Sequence, residues 1–189
     1  MGVCYATAVV LTHAHIDHSG YLPALVRQGF EGPVYCSEGT YDLCKVLLPD
    51  AGFLQEEDAR YANKKGYSKH KPALPLYTEA DARKSLKLFQ PKSFDKQHEL
   101  PGGLTMRFRR AGHILGASTV ELFNGKHVLA FSGDLGRMND PIMYPPEPLP
   151  RADWLVLEST YGNRLHADVD PLPELEQIIK KLHSRAALF

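Results

Sequence analysis

Cysteine is scarce in this sequence. There are three, Cys4, Cys36 and Cys44, an odd count with no C-x-x-C pair. That usage argues against a disulfide framework and points to a reducing compartment, the cytoplasm. An excess of one charge is also missing. Lys+Arg and Asp+Glu stand at 22 each, so the formal net charge is zero. No global basic field exists to draw in nucleic acid, although a local patch can suffice. The densest basic spots, Lys64 to Lys71 and Arg107 to Arg110, read first as solvated faces. No apolar run reaches membrane-spanning length. The opening Met1-Gly2-Val3-Cys4-Tyr5-Ala6 has no basic n-region, so no signal peptide is expected. Ala6 stands where a myristoylation pattern wants Ser or Thr. There is no internal repeat and no low-complexity segment.

What is present suits one domain with a real core. The chain has 189 residues, 43% of them hydrophobic, enough to bury a core. Ala8-Val9-Val10-Leu11 is an apolar, β-branched run that reads as a buried strand. Tyr21 to Gln28 reads as a helix ended by Gly29. Gly32 to Ser37 is a short strand. Ser37 to Lys65 is mostly helical, in two pieces, Thr40 to Leu48 and Leu54 to Lys64, with Pro49-Asp50-Ala51-Gly52 as the break. Thr78-Glu79-Ala80-Asp81 is a capped helix start running to Phe89. From Phe94 the period changes to two. Leu104 to Arg109, Ser118 to Phe123 and His127 to Ser132 are strands, the last two joined by an Asn124-Gly125 hairpin turn. Trp154 to Leu157 is a further apolar run, and Leu172 to His183 an amphipathic helix. Strands alternating with helices predict a layered α/β domain.

The chemistry concentrates in Thr12-His13-Ala14-His15-Ile16-Asp17-His18-Ser19-Gly20. Three imidazoles and a carboxylate follow the first apolar strand directly, in the pattern H-x-H-x-D-H. Alternate positions on an extended loop project to one side, so His13 and His15 can grip one ion. Asp17 and His18 can reach a second. Imidazole with carboxylate suits Zn²⁺ or a similar first-row metal. Lone histidines are usually structural; four metal-competent side chains at this spacing are not explained that way.

Two later segments supply more donors. Ala111-Gly112-His113-Ile114-Leu115-Gly116-Ala117-Ser118 sets a histidine between glycines ahead of a strand. Ser132-Gly133-Asp134-Leu135-Gly136-Arg137 sets an aspartate just after one. His113 would complete the first ion, and Asp134, with two oxygens, would bridge both. His70, His98, His127 and His183 have no such context. His166 follows a conspicuous segment and is a further candidate.

The order H-x-H-x-D-H, then G-H, then G-D resembles the metallo-β-lactamase superfamily. That implies an αββα sandwich, here partial, with two zinc ions held by His13, His15, Asp17, His18, His113 and Asp134. Glu158-Ser159-Thr160-Tyr161-Gly162-Asn163-Arg164 is similar to a segment of its β-CASP branch, which includes RNase J and the endonuclease subunit of mRNA 3′-end processing. Glu158 matches the acid of that segment. The resemblance covers nearly the whole chain, from Val9 to about Ile179.

The resemblance implies a ribonuclease that hydrolyses phosphodiesters with a hydroxide bridging two zinc ions. Asp17, Asp134 and Glu158 would be its catalytic carboxylates, Glu158 positioning a general acid. Members of the branch carry several strands and a D-x-G segment ahead of the histidine loop. They continue into a β-CASP domain whose further histidines include that acid and another ligand. Residues 1–189 would therefore be a partial metallo-β-lactamase domain ending near the start of the β-CASP region. RNA is the expected substrate and DNA a possible one; no membrane association is expected. Two other readings stay open. One is a thioesterase or lactonase on the same fold. The other is a non-catalytic fragment or scaffold subunit, which degenerate metal motifs would mark; here all six donors stand intact.

Overall fold

The computed structural model describes residues 6–164 and 170–186. It divides into a unit ending at Glu158 and a smaller one beginning at Ser159. In the first unit the chain runs β1 (Val9–Val10), α1 (Ile16–Ser19), α2 (Leu22–Arg27), β2 (Val34–Ser37), α3 (Glu38–Lys65), α4 (Glu79–Ser85), a 3₁₀ turn (Leu86–Leu88), β3 (Phe89–Lys92), β4 (His98–Glu99), β5 (Thr105–Arg110), β6 (Ser118–Phe123), β7 (Val128–Phe131) and β8 (Trp154–Val156). The smaller unit holds α5 (Leu172–Ala186). None of the helices among the described residues is long and apolar enough to cross a membrane.

Two sheets form. β1, β2 and β3 make a parallel sheet with β2 in the middle. Every side chain of β2 is buried, as expected of a parallel strand covered on both faces. The second sheet, β4-β5-β6-β7-β8, is antiparallel except for the parallel pair β7–β8. Alternation along the strands then builds two cores. Val34 and Cys36 face a helical layer that contributes Leu22, Val26, Cys44, Leu48 and Ala82. Tyr35 faces the other way, onto Met106, Phe108 and Val120 of the second sheet. Burying a side chain such as Phe108 is worth about 2–3 kcal/mol. The result is helix on sheet on sheet, the mixed α/β layering expected.

The helices differ from the sequence reading at α3 and at α4. α3 runs unbroken through Pro49 and Gly52. Proline removes one helical hydrogen bond, but Leu48, Pro49 and Gly52 are all buried. A Cβ on Gly52 would lie 2.7 Å from the Glu79 nitrogen and 2.8 Å from the Thr78 oxygen. The residue that looks like a breaker is a seat for the start of α4, and packing outweighs propensity there. The Thr78 cap is as expected: its hydroxyl accepts from the Asp81 amide while the Asp81 carboxylate accepts from the Thr78 amide. The helix is shorter than expected, however, ending at Ser85 so that Phe89–Lys92 can pair with β2. Pro91 hides that strand in the sequence, and it is tolerated because β3 is a sheet edge.

Cys36 and Cys44 are free and buried, and burial is the main cause that pushes both thiols up to about 12. Thiolate is the reactive form, so neither should react with iodoacetamide at pH 8 in the native protein. Both should react once urea unfolds it, and peptide mapping would locate the adducts. Native labelling of either would contradict this packing.

Candidate metal centre

Three loops meet at one end of the sheets. The first follows β1. Leu11 is held by an amide bond to the Tyr35 oxygen (2.8 Å), and Thr12 presents its carbonyl to both the amide and the hydroxyl of Ser118 (2.9 and 2.8 Å). The chain then turns into α1, whose short helix starts at Ile16 and carries Asp17 and His18. These two therefore project from a helical turn, just past the loop that carries His13 and His15. Ser19 locks the turn, its hydroxyl lying 2.8 Å from the Ala14 oxygen and 3.0 Å from the His15 oxygen.

The second loop joins β5 to β6 and carries His113. The Ala111 amide closes it by donating a hydrogen bond to the Ala117 oxygen at 3.0 Å. Its Gly116 lies in the left-handed region at φ +77°, against the start of α3, where a Cβ would be 2.6 Å from both the Gly39 carbonyl carbon and the Ser37 hydroxyl. The hydroxyls of Ser37 and Thr40 both donate to the Gly116 oxygen, at 2.5 and 3.0 Å.

The third loop follows β7 and carries Asp134. Ser132 donates its hydroxyl to the Gly133 oxygen (2.7 Å) and accepts from the Glu158 amide (3.0 Å). The Glu158 carboxylate accepts from the Leu135 amide at 2.9 Å. The Gly136 amide donates to the Ala111 oxygen at 2.8 Å, which pins this loop to the second one.

His13, His15, His113 and Asp134 each turn a donor atom into one space, and these atoms lie within 4.8 Å of one another. His13 Nε2 and His113 Nε2 lie 3.1 and 3.2 Å from His15 Nδ1. The same two Nε2 atoms lie 3.7 and 3.5 Å from Asp134 Oδ2. Donors on a tetrahedral zinc with arms of ~2.0–2.1 Å stand about 3.3 Å apart, so this set fits such an ion. Thr12 Oγ1 lies 3.2 Å from His13 Nδ1, leaving Nε2 to point inward. The other Asp134 oxygen, Oδ1, faces His18 Nε2 at 3.3 Å, and His18 in turn lies 3.6 Å from Asp17 Oδ2. Asp134 thus stands between two donor groups, one oxygen toward each. All six donor residues of the sequence motifs come together here, with Glu158 bracing the Asp134 loop.

Among the other histidines, His98 bonds the Ser93 oxygen at 2.8 Å. His127 stacks on Trp154 with ring centroids 4.9 Å apart. His70 and His183 are exposed. His166 lies outside the described residues. Thr12, Ser118, Ser132 and Gly136 escape a reading of the sequence; they act through hydroxyls and loop backbone that only the fold brings together, and only the Ser-Gly-Asp-x-Gly phrase hints at them.

A profile of the metallo-beta-lactamase superfamily matches residues 7–172. The chain belongs to this superfamily. Among curated relatives, ribonuclease TTHA0252 of Thermus thermophilus is 32% identical over 94% of the chain and 37% of its own length. Transcription termination factor FttA of Methanocaldococcus jannaschii is 34% identical over 93% of the chain and 25% of its own length. FttA of Methanosarcina mazei is 35% identical over 82% and 23%. The chain therefore spans between about a quarter and two fifths of the relatives it matches. These homologues are of the β-CASP type that the Glu158 segment resembles.

Burial, followed by the neighbouring His18, drives the His13 pKa down from 6.5 to about 4. The sign follows directly. Below pH 6.5 the unfolded chain takes up a proton on His13 that the folded chain refuses, so stability falls with pH. Metal-free protein should lose stability as pH drops from 6.5 toward 4, read as a falling melting temperature in EDTA. His13→Gln should flatten that slope. An unchanged slope in the variant would remove His13 as its source.

Proposed function

We propose that this chain carries the metal-binding module of an RNA-cleaving phosphodiesterase of the β-CASP branch, with two zinc ions as cofactor. The observation that carries the reading is Asp134, one oxygen toward the group of His13, His15 and His113 and the other toward His18, which lies beside Asp17. In this reading the three histidines hold one ion, Asp17 and His18 hold the other, and Asp134 joins them. Zinc bound there would supply Lewis acidity toward phosphoryl oxygens and a water whose pKa falls to about 7.

The protein's own part is positioning. Thr12 holds the His13 ring in place at Nδ1, and Ser132 and Glu158 hold the loop from which Asp134 projects. A group that keeps its place while charge develops on the phosphate loses no energy to reorganisation. RNA as substrate draws support from the relative named a ribonuclease and from those named transcription termination factors.

The test has two arms. Zinc content of the purified chain comes first, by atomic emission, with and without EDTA treatment. Cleavage of end-labelled RNA follows, beside matched DNA and a thioester. The reading expects bound zinc in the chain, and chelator-sensitive cutting of RNA once the chain is joined to a β-CASP region that supplies the general acid. Zinc with thioester hydrolysis and no RNA cleavage would move the chain to a different hydrolase of the same fold. Zinc with neither activity would leave a metal-binding subunit without nuclease chemistry.

A further inference from the structure

The C-terminal end of α3 gathers a surface that the metal centre does not use. Arg60, Lys64, Lys65, Lys69 and Lys71 fall within twelve positions, and no acid occurs between Arg60 and Glu79. In a chain of zero net charge this is a strong local excess. All five cations are exposed; Arg60 is paired with Glu57, and the four lysines carry the local excess. Between them stand two tyrosines, Tyr61 and Tyr67, 56% and 66% exposed. Their rings lie 6.2 Å apart, and Lys65 Nζ sits 5.7 Å from the Tyr61 ring centre.

The surface is built, not merely solvated. α3 ends at Gly66 in the left-handed region at φ 71°. The chain then folds back along the helix and is tied to it. Asn63 donates to the Ala73 oxygen (2.9 Å) and accepts from the Ala73 amide (2.8 Å). Gln55 and Glu56 accept from the amides of Leu76 and Glu79, at 3.1 and 2.9 Å. The returning strap keeps Lys69 and Lys71 at the same end of the helix as Tyr61 and Lys64. More than half of each tyrosine is left open to solvent. Spaced among cations, they match the two things a single-stranded nucleic acid offers, phosphates and base faces.

We infer that this basic, tyrosine-bearing end of α3 binds single-stranded RNA at a distance from the metal centre. The inference rests on the RNA reading above and adds a second contact to it. α3 starts at the centre, since Gly39 packs on Gly116 of the His113 loop. At ~1.5 Å per residue, Tyr61 lies roughly 33 Å further along the helix. A stacked strand advancing ~3.4 Å per nucleotide would need about ten nucleotides to reach from one to the other.

Fluorescence anisotropy with 5′-labelled oligouridylate of twenty nucleotides, on the full chain in EDTA and over a salt series, tests it. The quadruple variant Lys64→Gln, Lys65→Gln, Lys69→Gln, Lys71→Gln should bind at least about tenfold more weakly. Its log–log salt slope should shrink by about 3, at ~0.7 for each phosphate no longer neutralised. Tyr61→Ala with Tyr67→Ala should weaken binding about fivefold or more, because two bases lose their stacking platforms. The four Lys→Arg changes should keep binding, which separates charge from misfolding. Lys96→Gln with Lys126→Gln, exposed positions away from α3, should change nothing. Wild-type affinity and slope in the quadruple variant would overturn the inference, as would the absence of RNA binding by the wild type. Weaker binding with the lysines removed but not with the tyrosines removed would reduce the surface to a polyanion contact and overturn its assignment to single strands. The same variants on a four-nucleotide substrate should cut as the wild type does. RNA binding that depends on the patch, with no cleavage, would leave this inference standing and sink the nuclease reading instead.

Discussion

On the two-zinc nuclease reading, Asp134→Ala should lower zinc affinity at least about 100-fold and abolish the RNA cleavage of the β-CASP-extended chain. Loss of a mere supporting partner of a metal ligand already costs 10–100-fold, and Asp134 is more central than that. Its Oδ2 lies 3.5 and 3.7 Å from two histidine nitrogens, and its Oδ1 lies 3.3 Å from a third. It is the one carboxylate in the four-residue group, so without it three neutral imidazoles face a dication. It is also the one residue shared with His18 and Asp17. Its side chain is 28% exposed, so its removal leaves no deep cavity. Metal-free melting should move by only a few degrees, which separates lost ligation from lost folding. Asp17→Ala offers the contrast. That carboxylate is 77% exposed and faces His18 at 3.6 Å, so its loss should weaken one ion and spare the other. Competition against a chromophoric chelator measures both. Wild-type affinity in Asp134→Ala would remove it from the centre.

Gly136→Ala should cost about 3–4 kcal/mol of stability in urea unfolding and strip zinc from whatever remains folded. A Cβ at Gly136 falls on the carbonyl oxygen of Gly112 and 2.9 Å from the His113 nitrogen. Both are backbone atoms, so no side chain can swing aside, and the clash belongs with severe overpacking. The only relief is for the Asp134 loop to draw back from the His113 loop, breaking the 2.8 Å bond from Gly136 to Ala111. The two donors would separate as a consequence. Gly125→Ala is the control. It has a φ of +86° but nothing within 4 Å of the new atom, so only left-handed strain of about 1–2 kcal/mol remains. Equal losses at the two glycines would mean that backbone strain, not the contact between loops, sets the cost.

The donors are legible in the sequence because their signal is local. His13, His15, Asp17 and His18 sit in one short run, and His113 and Asp134 each lie in a glycine-framed phrase beside a strand. Glu158 is legible only through resemblance; as a bare strand end it carries no signal. What stays hidden depends on distant partners. Gly52 looks like a helix breaker until Thr78 and Glu79 are seen against it. Phe89–Lys92 looks like the tail of a helix until β2 offers it a partner. Gly112 and Gly136 are ordinary loop glycines until their backbones touch. The basic run at Lys64 to Lys71 reads as a solvated face in one dimension, and its tyrosine pair and tethered strap appear only in three.

The spacing of the donors along the chain sets an order of events. His15 and His113 face each other across 98 residues of sequence, and Asp134 comes later still. A ribosome delivers the H-x-H-x-D-H run long before it delivers the carboxylate that completes the set. Until His113 and Asp134 are made and the two sheets have docked, the early run has only its own donors and solvent. On the proposed reading, metal loading would then complete assembly instead of nucleating it. Zinc uptake followed during refolding should lag behind burial of the core and report that the second sheet has closed on the first.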